Sequence, residues 1–203
     1  MLLHPLALVS AAALAVLIML GLAPCSAPQA APAPPCDGFD FPVGAPDGVG
    51  YHDAQPFGTN DHLGNDWNGD GGGNSDLGDP VSSIAAGIVT EVADHGGSWG
   101  QVVRVVHRGC RDAAEVESLY AHLERVDVVA GEVVARGQHV GSIGTAGGTY
   151  PAHLHLELRD RAGLPLGPGY GRDLPGYLDA TRFIRAHRPV APASSPLLGR
   201  VAQ

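Results

Sequence analysis

Residues 150–160 read YPAHLHLELRD, with two histidines two positions apart followed by leucines that alternate with charged residues. Alternation of this kind is typical of a half-buried β-strand, in which every second side chain points to the same face. The pattern therefore predicts that His153, His155 and Glu157 share one face while the leucines pack into a core behind them. Two imidazoles side by side on a rigid strand suit a transition-metal site, or one metal ligand beside one catalytic base.

The composition indicates one β-rich domain. The 203-residue chain is 44% hydrophobic, enough for one core, and its 29 glycines and 17 prolines favour short strands and turns over long helices. The chain contains no lysine and carries a net charge of −9. A nucleic-acid partner is therefore not expected, because phosphate binding needs a basic patch.

The first 40 residues divide into an apolar segment and a linker. Residues 6–22, LALVSAAALAVLIMLGL, predict a secretory signal within residues 1–25, and hence an exported protein of the periplasm, cell envelope or extracellular space. At about 17 residues the run is also long enough to act as an uncleaved membrane tether. LAPC at 22–25 resembles a lipoprotein box, with Cys25 as lipid acceptor. Residues 26–40 form a Pro/Ala-rich linker.

Two cysteines are candidates for pairing. If Cys25 is removed or acylated, Cys36 and Cys110 remain together in an oxidising compartment. The sequence leaves open whether they form a disulfide or stay as two thiols.

A second polar cluster lies in the glycine-rich stretch 55–80, where His62 and Asp66 stand four residues apart. Imidazole and carboxylate groups are both zinc ligands. Residues 66–71, DWNGDG, also match the start of a calcium-binding loop, although Leu77 occupies the position that requires a glutamate. A polar surface loop that merely contains a histidine is the third interpretation.

The remaining chain consists of short apolar segments separated by glycines, with one helix. The segments at 80–93, 101–107, 117–123, 125–134 and 137–145 predict strands, so the expected fold class is mainly β, of the β-rich α+β type. Within them, Tyr120 and His122 are predicted to share a strand face. Residues 177–187, YLDATRFIRAH, predict a C-terminal helix ended by Pro189, and 189–203 a loose tail.

Together these segments resemble the lysostaphin-like (LytM-type) zinc metallopeptidases, bacterial endopeptidases that cut peptides of peptidoglycan. The resemblance rests on HLGND at 62–66, DPV at 79–81, AAGIV at 85–89, WG at 99–100, YAHL at 120–123, GEVVARGQHVG at 131–141 and HLHLE at 153–157. It implies a twisted antiparallel β-sheet domain at residues 41–188, of the duplicated hybrid motif type, with an active-site groove on the sheet.

The resemblance also implies the site. His62, Asp66 and His155 fall on the family's Zn²⁺-ligand positions, and His122 and His153 fall on its two other active-site histidines. His153 is then the expected general base and His122 the expected stabiliser of the oxyanion, with the two roles open to sharing.

Two further residues have alternative roles. Glu157 either orients a metal ligand from behind or is a solvent-facing charge, and Tyr120 either lines the groove or packs.

The implied function is an exported zinc endopeptidase acting on peptidoglycan peptides. The alternative is a catalytically silent member that regulates another cell-wall hydrolase. A calcium-stabilised adhesion domain is a third hypothesis, which competes with zinc for Asp66.

Overall fold

The computed structural model describes residues 36–110, 113–172 and 175–189. The predicted signal or anchor at 1–25, most of the linker and nearly all of the tail lie outside these ranges. Within the described residues, no helix has the length and apolar character needed to cross a membrane.

Antiparallel strands make up most of the described chain, in agreement with the predicted fold class. In chain order the elements are β1 (Tyr51–Gln55), β2 (Asn65–Gly69), β3 (Pro80–Ser82), β4 (Gly87–Asp94), β5 (Gln101–Cys110), β6 (Ala113–Leu123), β7 (Arg125–Val126), β8 (Val133–Val134), β9 (His139–Ser142), β10 (Leu154–Arg159), β11 (Tyr177–Leu178) and α1 (Ala180–Ala186). The larger sheet has the order β1-β2-β10-β6-β5-β4-β8, with β11 also paired to β10, and a smaller sheet has the order β3-β9-β7. Strand β10 thus lies between β2 and β6, which brings three distant segments of the sequence together.

Strand β10 shows the predicted alternation but is covered on both faces. Leu154, Leu156 and Leu158 are fully buried in the main hydrophobic core. The residues between them, including Glu157, are buried as well. The prediction of a half-buried strand is therefore wrong, because the polar face is covered by ion pairs and hydrogen bonds rather than by solvent.

The C-terminal helix begins later than predicted. Tyr177 and Leu178 pair with β10 as strand β11, and α1 starts at Ala180. The Asp179 side chain accepts a hydrogen bond from the backbone N–H of Arg182, which satisfies one of the free N–H groups of the first turn. The helix therefore starts at its capping residue, and pairing with β10 outweighs helical periodicity in the two residues before it.

A disulfide joins Cys36 to Cys110, at the end of β5. The two residues are 74 positions apart. Closing a loop of that length in the unfolded chain corresponds to a stabilisation of about 4 kcal/mol. Of the two alternatives that the sequence leaves open, the structure has the disulfide, which fastens the start of the domain to its central sheet.

A buried histidine makes the stability of this fold depend on pH. The Nδ1 of His107 lies 3.0 Å from the carbonyl oxygen of Ala86, and its Nε2 lies 2.8 Å from the hydroxyl of Ser118. Burial lowers the pKa of His107 to about 4, although the contact with Ala86 raises it. As the pH falls, His107 is therefore protonated in the unfolded chain at a higher pH than in the folded chain. The stability contributed by neutral His107 is present above the unfolded pKa of about 6.5 and is lost as pH falls toward 4.

We expect this loss to reach about 2 kcal/mol between pH 7.5 and pH 4.5. Urea unfolding of the wild type and of His107→Gln at the two pH values measures it, and the variant should lose less stability on acidification by that amount. His52→Gln, at an exposed histidine, is the control and should keep the wild-type pH dependence. Equal pH dependence in all three proteins would contradict the prediction.

Candidate metal centre

Three polar side chains converge on one face of the larger sheet. Asp66 lies on β2 and His155 on β10, and the antiparallel register pairs them directly. His62 reaches the same point from the turn before β2. The Nε2 of His62, the Oδ1 of Asp66 and the Nδ1 of His155 are separated from one another by 3.4, 2.9 and 3.1 Å. These three atoms form what we call the ligand triangle.

The ligand triangle fits a tetrahedral zinc ion. Zinc bonds of about 2.0–2.1 Å at tetrahedral angles place neighbouring donor atoms roughly 3.3 Å apart. Two imidazole nitrogens and one carboxylate oxygen are donors that zinc accepts in catalytic sites, where three protein ligands leave one position for water or substrate. Both the donor set and its spacing therefore suit Zn²⁺.

Hydrogen bonds outside the triangle orient both imidazoles. The Nδ1 of His62 lies 3.1 Å from the carbonyl oxygen of Gln55, which can only accept, so Nδ1 carries a hydrogen and Nε2 is the nitrogen with the lone pair in the neutral imidazole. Both ring nitrogens of His155 face carboxylate oxygens, Nδ1 the Oδ1 of Asp66 at 2.9 Å and Nε2 the Oε1 of Glu157 at 3.4 Å. A cation that replaces the hydrogen on Nδ1 would therefore leave the other hydrogen on Nε2, held by Glu157. A metal ligand needs an unprotonated nitrogen. Each histidine thus turns toward the triangle the nitrogen that would bind a metal once its hydrogen is displaced.

Two further histidines border the triangle. The ring centroids of His122 and His153 are 4.7 Å apart, and the Nε2 of His153 lies 3.8 Å from the Oδ1 of Asp66. His122 donates its Nδ1–H to the carbonyl oxygen of Trp99 at 3.2 Å, and His153 donates its own to that of Pro151 at 2.9 Å. In the neutral form, each imidazole therefore has its acceptor nitrogen at Nε2.

His122 reaches the site through a left-handed backbone. Alternation predicts that Tyr120 and His122 share a strand face, and this prediction is wrong. The φ of His122 is +64°, which turns its side chain to the opposite face of the sheet. Such a backbone costs a non-glycine residue about 1–2 kcal/mol, and strain of this kind clusters at functional sites.

Tyr120 packs in the core and does not line the groove. It is fully buried in the main hydrophobic cluster. Its hydroxyl oxygen accepts hydrogen bonds from the backbone N–H of Ile84 at 2.8 Å and from the hydroxyl of Ser118 at 3.0 Å. Of the two roles that the sequence allowed, packing is the one that the structure shows.

The site opens into a groove of about 350 Å³. This volume lies within the range of small-molecule and peptide pockets. Asp66, His122, His153 and His155 contribute to its lining, and the aromatic residues Trp99, Tyr150 and Tyr170 contribute as well. The groove is therefore both polar, at the triangle, and apolar, along its sides.

Burial and neighbouring charges set the protonation of the site. Burial, followed by the charges of His155 and His153, lowers the pKa of His122 to about 3. Burial raises the pKa of Asp66, but hydrogen bonds from its histidine neighbours outweigh this and leave it below its usual range. Burial lowers the pKa of His155, but Asp66 and Glu157 outweigh this and raise it to about 9. The two carboxylates thus favour positive charge within the triangle, as a divalent cation requires.

Glu157 is not a solvent-facing charge. Its side chain is fully buried, and its Oε2 accepts hydrogen bonds from the Nη2 and Nε of Arg159 at 2.6 and 3.0 Å. Of the two sequence-based alternatives, the solvent-facing charge is therefore wrong, and a role in orienting His155 stays a prediction.

Sequence reasoning missed several contributors to the site. Gln55 and Pro151 act through backbone carbonyl groups, which leave no side-chain signal. The rings of Tyr170 and His62 are 5.1 Å apart between centroids and tilted by 38°, but Tyr170 follows a Gly/Pro-rich segment without periodicity. The burial of Arg159 was also missed, because a charged residue at a strand end usually faces solvent.

The calcium interpretation of 66–77 is contradicted by the structure. A calcium loop must curl so that its acidic positions surround one ion. Here Asn65–Gly69 is an extended strand, and Asp66 points into the ligand triangle. Asn68 donates to the carbonyl oxygen of Ala152, and Asp70 faces His52. These side chains therefore diverge.

Gly64, between the first two ligands, leaves space for the third. A Cβ atom at position 64 would lie 2.7 Å from the Cε1 of His155 and 2.8 Å from the carbonyl oxygen of Leu156. We expect Gly64→Ala to displace the imidazole, lowering zinc affinity by about 10-fold or more and activity by about 100-fold. Chelator competition and peptide release measure the two effects.

Gly72→Ala is the matched control for this change. Gly72 has a φ of +71° and nothing near its missing side chain, so alanine strains the backbone there without touching an imidazole. Zinc affinity should be unchanged in this variant. Equal zinc affinities in Gly64→Ala and Gly72→Ala would show that the close contact is unimportant.

A family model described as Peptidase family M23 matches residues 62–168, just over half of the chain. The matched range begins at His62 and also contains Asp66, His122, His153 and His155.

Curated relatives match somewhat less than half of the chain. The DD-carboxypeptidase/endopeptidase Mpg of Neisseria meningitidis serogroup B is 36% identical over 91 residues, covering 45% of this chain and 19% of that protein. A protein of Haemophilus influenzae described as an uncharacterized metalloprotease is 34% identical over 91 residues, covering 44% of this chain and 18% of that protein. The match thus spans less than a fifth of the length of these relatives.

Two solved structures are among those that match this chain. A putative peptidase M23 from Pseudomonas aeruginosa is 28% identical, with a TM-score of 0.44 over 60% of this chain and 44% of that one. Lysostaphin from Staphylococcus simulans is 21% identical, with a TM-score of 0.46 over 62% of this chain and 44% of that one.

Proposed function

The chain belongs to peptidase family M23, and from this premise we propose that it is an exported, zinc-dependent endopeptidase acting on peptidoglycan. The bonds cut are peptide bonds of stem peptides or cross-bridges. The observation that carries the proposal is the ligand triangle of His62, Asp66 and His155, with the acceptor nitrogens of His122 and His153 beside it.

The ligand triangle would hold the zinc ion. When bound, zinc supplies a Lewis acid that polarises a carbonyl group and lowers the pKa of water toward about 7. Asp66 offsets part of the cation's charge, and the hydrogen bonds from His62 to Gln55 and from His155 to Glu157 keep both imidazoles in the binding tautomer.

His153 and His122 would move the proton. Because each donates its Nδ1–H to a carbonyl oxygen, Nε2 is the nitrogen at which each can take up or release a proton. His153 is the first acceptor of the proton from the attacking water, because burial and neighbouring charges lower the pKa of His122 to about 3. Neutral His122 cannot donate from Nε2 to an oxyanion, and it gains that ability only after taking up a proton. We therefore assign the roles of base and donor to the pair, with the proton passed on to the leaving amine.

The shape and charge of the groove support a peptide substrate. Aromatic side chains such as Tyr150 and Tyr170 offer surfaces against which an extended chain can pack, with exposed fractions of 37% and 49%. Asp66 is the one acidic or basic side chain among the described residues that line the groove, apart from its histidines.

Export is supported by two observations. Residues 1–25 have the apolar character of a secretory signal or membrane tether. The disulfide between Cys36 and Cys110 suits an oxidising compartment. We propose the periplasm, cell envelope or extracellular space as the location.

The proposal is tested by metal analysis of the purified chain together with peptide release from purified peptidoglycan. About one zinc per chain is expected from a single three-ligand site, with cleavage that a chelator stops and added zinc restores. Zinc binding without cleavage would instead support the regulatory alternative. A folded chain without zinc would overturn the metal site.

A further inference from the structure

A buried arginine lies behind the proposed metal ligand His155. Arg159 is the last residue of β10, and its side chain is fully buried. A guanidinium stays protonated in proteins, and removing a charge from water costs several kcal/mol unless it is paired. The partners of Arg159 therefore indicate what its charge holds in place.

The first partner leads to the ligand triangle. The Nη2 and Nε of Arg159 both donate to the Oε2 of Glu157, at 2.6 and 3.0 Å. The other oxygen, Oε1, is left to face the Nε2 of His155 at 3.4 Å. Because Glu157 is fully buried, these contacts fix where its carboxylate points. Arg159, Glu157 and His155 thus form a continuous chain that ends at a metal ligand.

The second partner leads to the groove wall. The Nη1 of Arg159 donates to the carbonyl oxygen of Leu164 at 3.2 Å, in the segment that continues to Tyr170 at the groove. Arg104 donates to the same carbonyl oxygen at 2.6 Å and to Glu117 at 2.5 Å. Arg159 also donates from Nη1 to the Oε1 of Glu117 at 3.4 Å, so the two arginines share both Glu117 and the Leu164 carbonyl oxygen. None of the hydrogen bonds of Arg104 within the described residues reaches Glu157.

We propose that Arg159 is a positioning residue of the metal centre. Acting through Glu157, it fixes the His155 imidazole in the orientation and tautomer that present Nδ1 to zinc. The inference rests on the proposed zinc site but not on the reaction, since its consequence is a change in metal affinity.

The test measures zinc affinity of the purified full chain by competition with a chelating dye. Arg159→Lys keeps the positive charge but replaces the planar fork with a single ammonium group, and zinc affinity should fall about 10- to 100-fold. Arg104→Lys is the matched control, because it disturbs the same Glu117 carboxylate and the same carbonyl oxygen of Leu164. Its zinc affinity should equal that of the wild type, even where urea unfolding shows a similar loss of stability.

A double-mutant cycle separates positioning from general destabilisation. Glu157→Gln should lower zinc affinity by a similar factor, and adding Arg159→Lys should lower it little further, because both changes interrupt one chain of contacts. Equal zinc affinities in Arg159→Lys and Arg104→Lys would overturn the proposal, as would additive effects in the cycle. If Arg159→Lys fails to fold, unchanged zinc affinity in Glu157→Gln would overturn it instead. Absence of peptidoglycan cleavage by the wild type would count against the proposed reaction alone.

Discussion

His155→Ala is expected to abolish stoichiometric zinc binding and to lower peptidoglycan cleavage by at least about 10³-fold, because the metal contributes several kcal/mol to the barrier. His155 is the central member of the ligand triangle, 2.9 Å from Asp66 and 3.1 Å from His62. Its removal leaves two ligands, too few for a catalytic zinc site. Metal analysis after dialysis and peptide release from peptidoglycan measure the two losses.

The control separates loss of metal from loss of fold. The Leu154 and Leu156 side chains that flank His155 pack on the other face of β10, so the core should persist in the variant. Chelator-treated wild type should match His155→Ala in secondary structure and inactivity, but only the wild type should recover when zinc is added. Full zinc occupancy and activity in His155→Ala would contradict the assignment of this ligand.

Part of the site can be predicted from the sequence, because a local pattern determines which side chains of β10 face the core. The alternation in β10 predicts the buried leucines and places His155 opposite them. The family resemblance adds His62 and Asp66, which no local periodicity connects to β10. In the structure the pairing of β2 with β10 supplies that connection, by setting Asp66 beside His155.

His122 could not have been placed by alternation. Its strand neighbour Tyr120 follows the pleat into the core, but a left-handed φ of +64° turns His122 to the other side. This conformation is supported by tertiary contacts, including the hydrogen bond from the His122 N–H to the carbonyl oxygen of Trp99. Backbone strain held by distant contacts leaves no trace in the residues themselves.

The buried ion pair between Glu157 and Arg159 could not be predicted from the sequence either. Glu157 and Arg159 alternate with leucines, a pattern that predicts the solvent-facing side of a half-buried strand. Whether that face is solvated depends on what covers it. Here, Arg104 from β5 and the carbonyl oxygen of Leu164 complete a buried network, which only the three-dimensional arrangement shows.

His153→Ala and His122→Ala are expected to retain zinc and to lower the turnover number by about 10²–10⁴-fold each, the usual contribution of a general acid–base group. Neither residue belongs to the ligand triangle, but each presents an acceptor nitrogen to the same groove. Because the pair shares one proton-transfer step, the double variant should be little slower than either single variant. Zinc analysis and initial rates of peptide release give both quantities.

The backbone of His122 provides an independent check on this assignment. His122→Gly removes the imidazole and also relieves the left-handed strain, so it should be more stable than His122→Ala by about 1 kcal/mol in urea unfolding. Both variants should be equally inactive, because activity depends on the imidazole and stability on the backbone. Turnover near the wild-type rate in either variant would remove His122 from the reaction, and equal stabilities would show that its φ of +64° carries no cost.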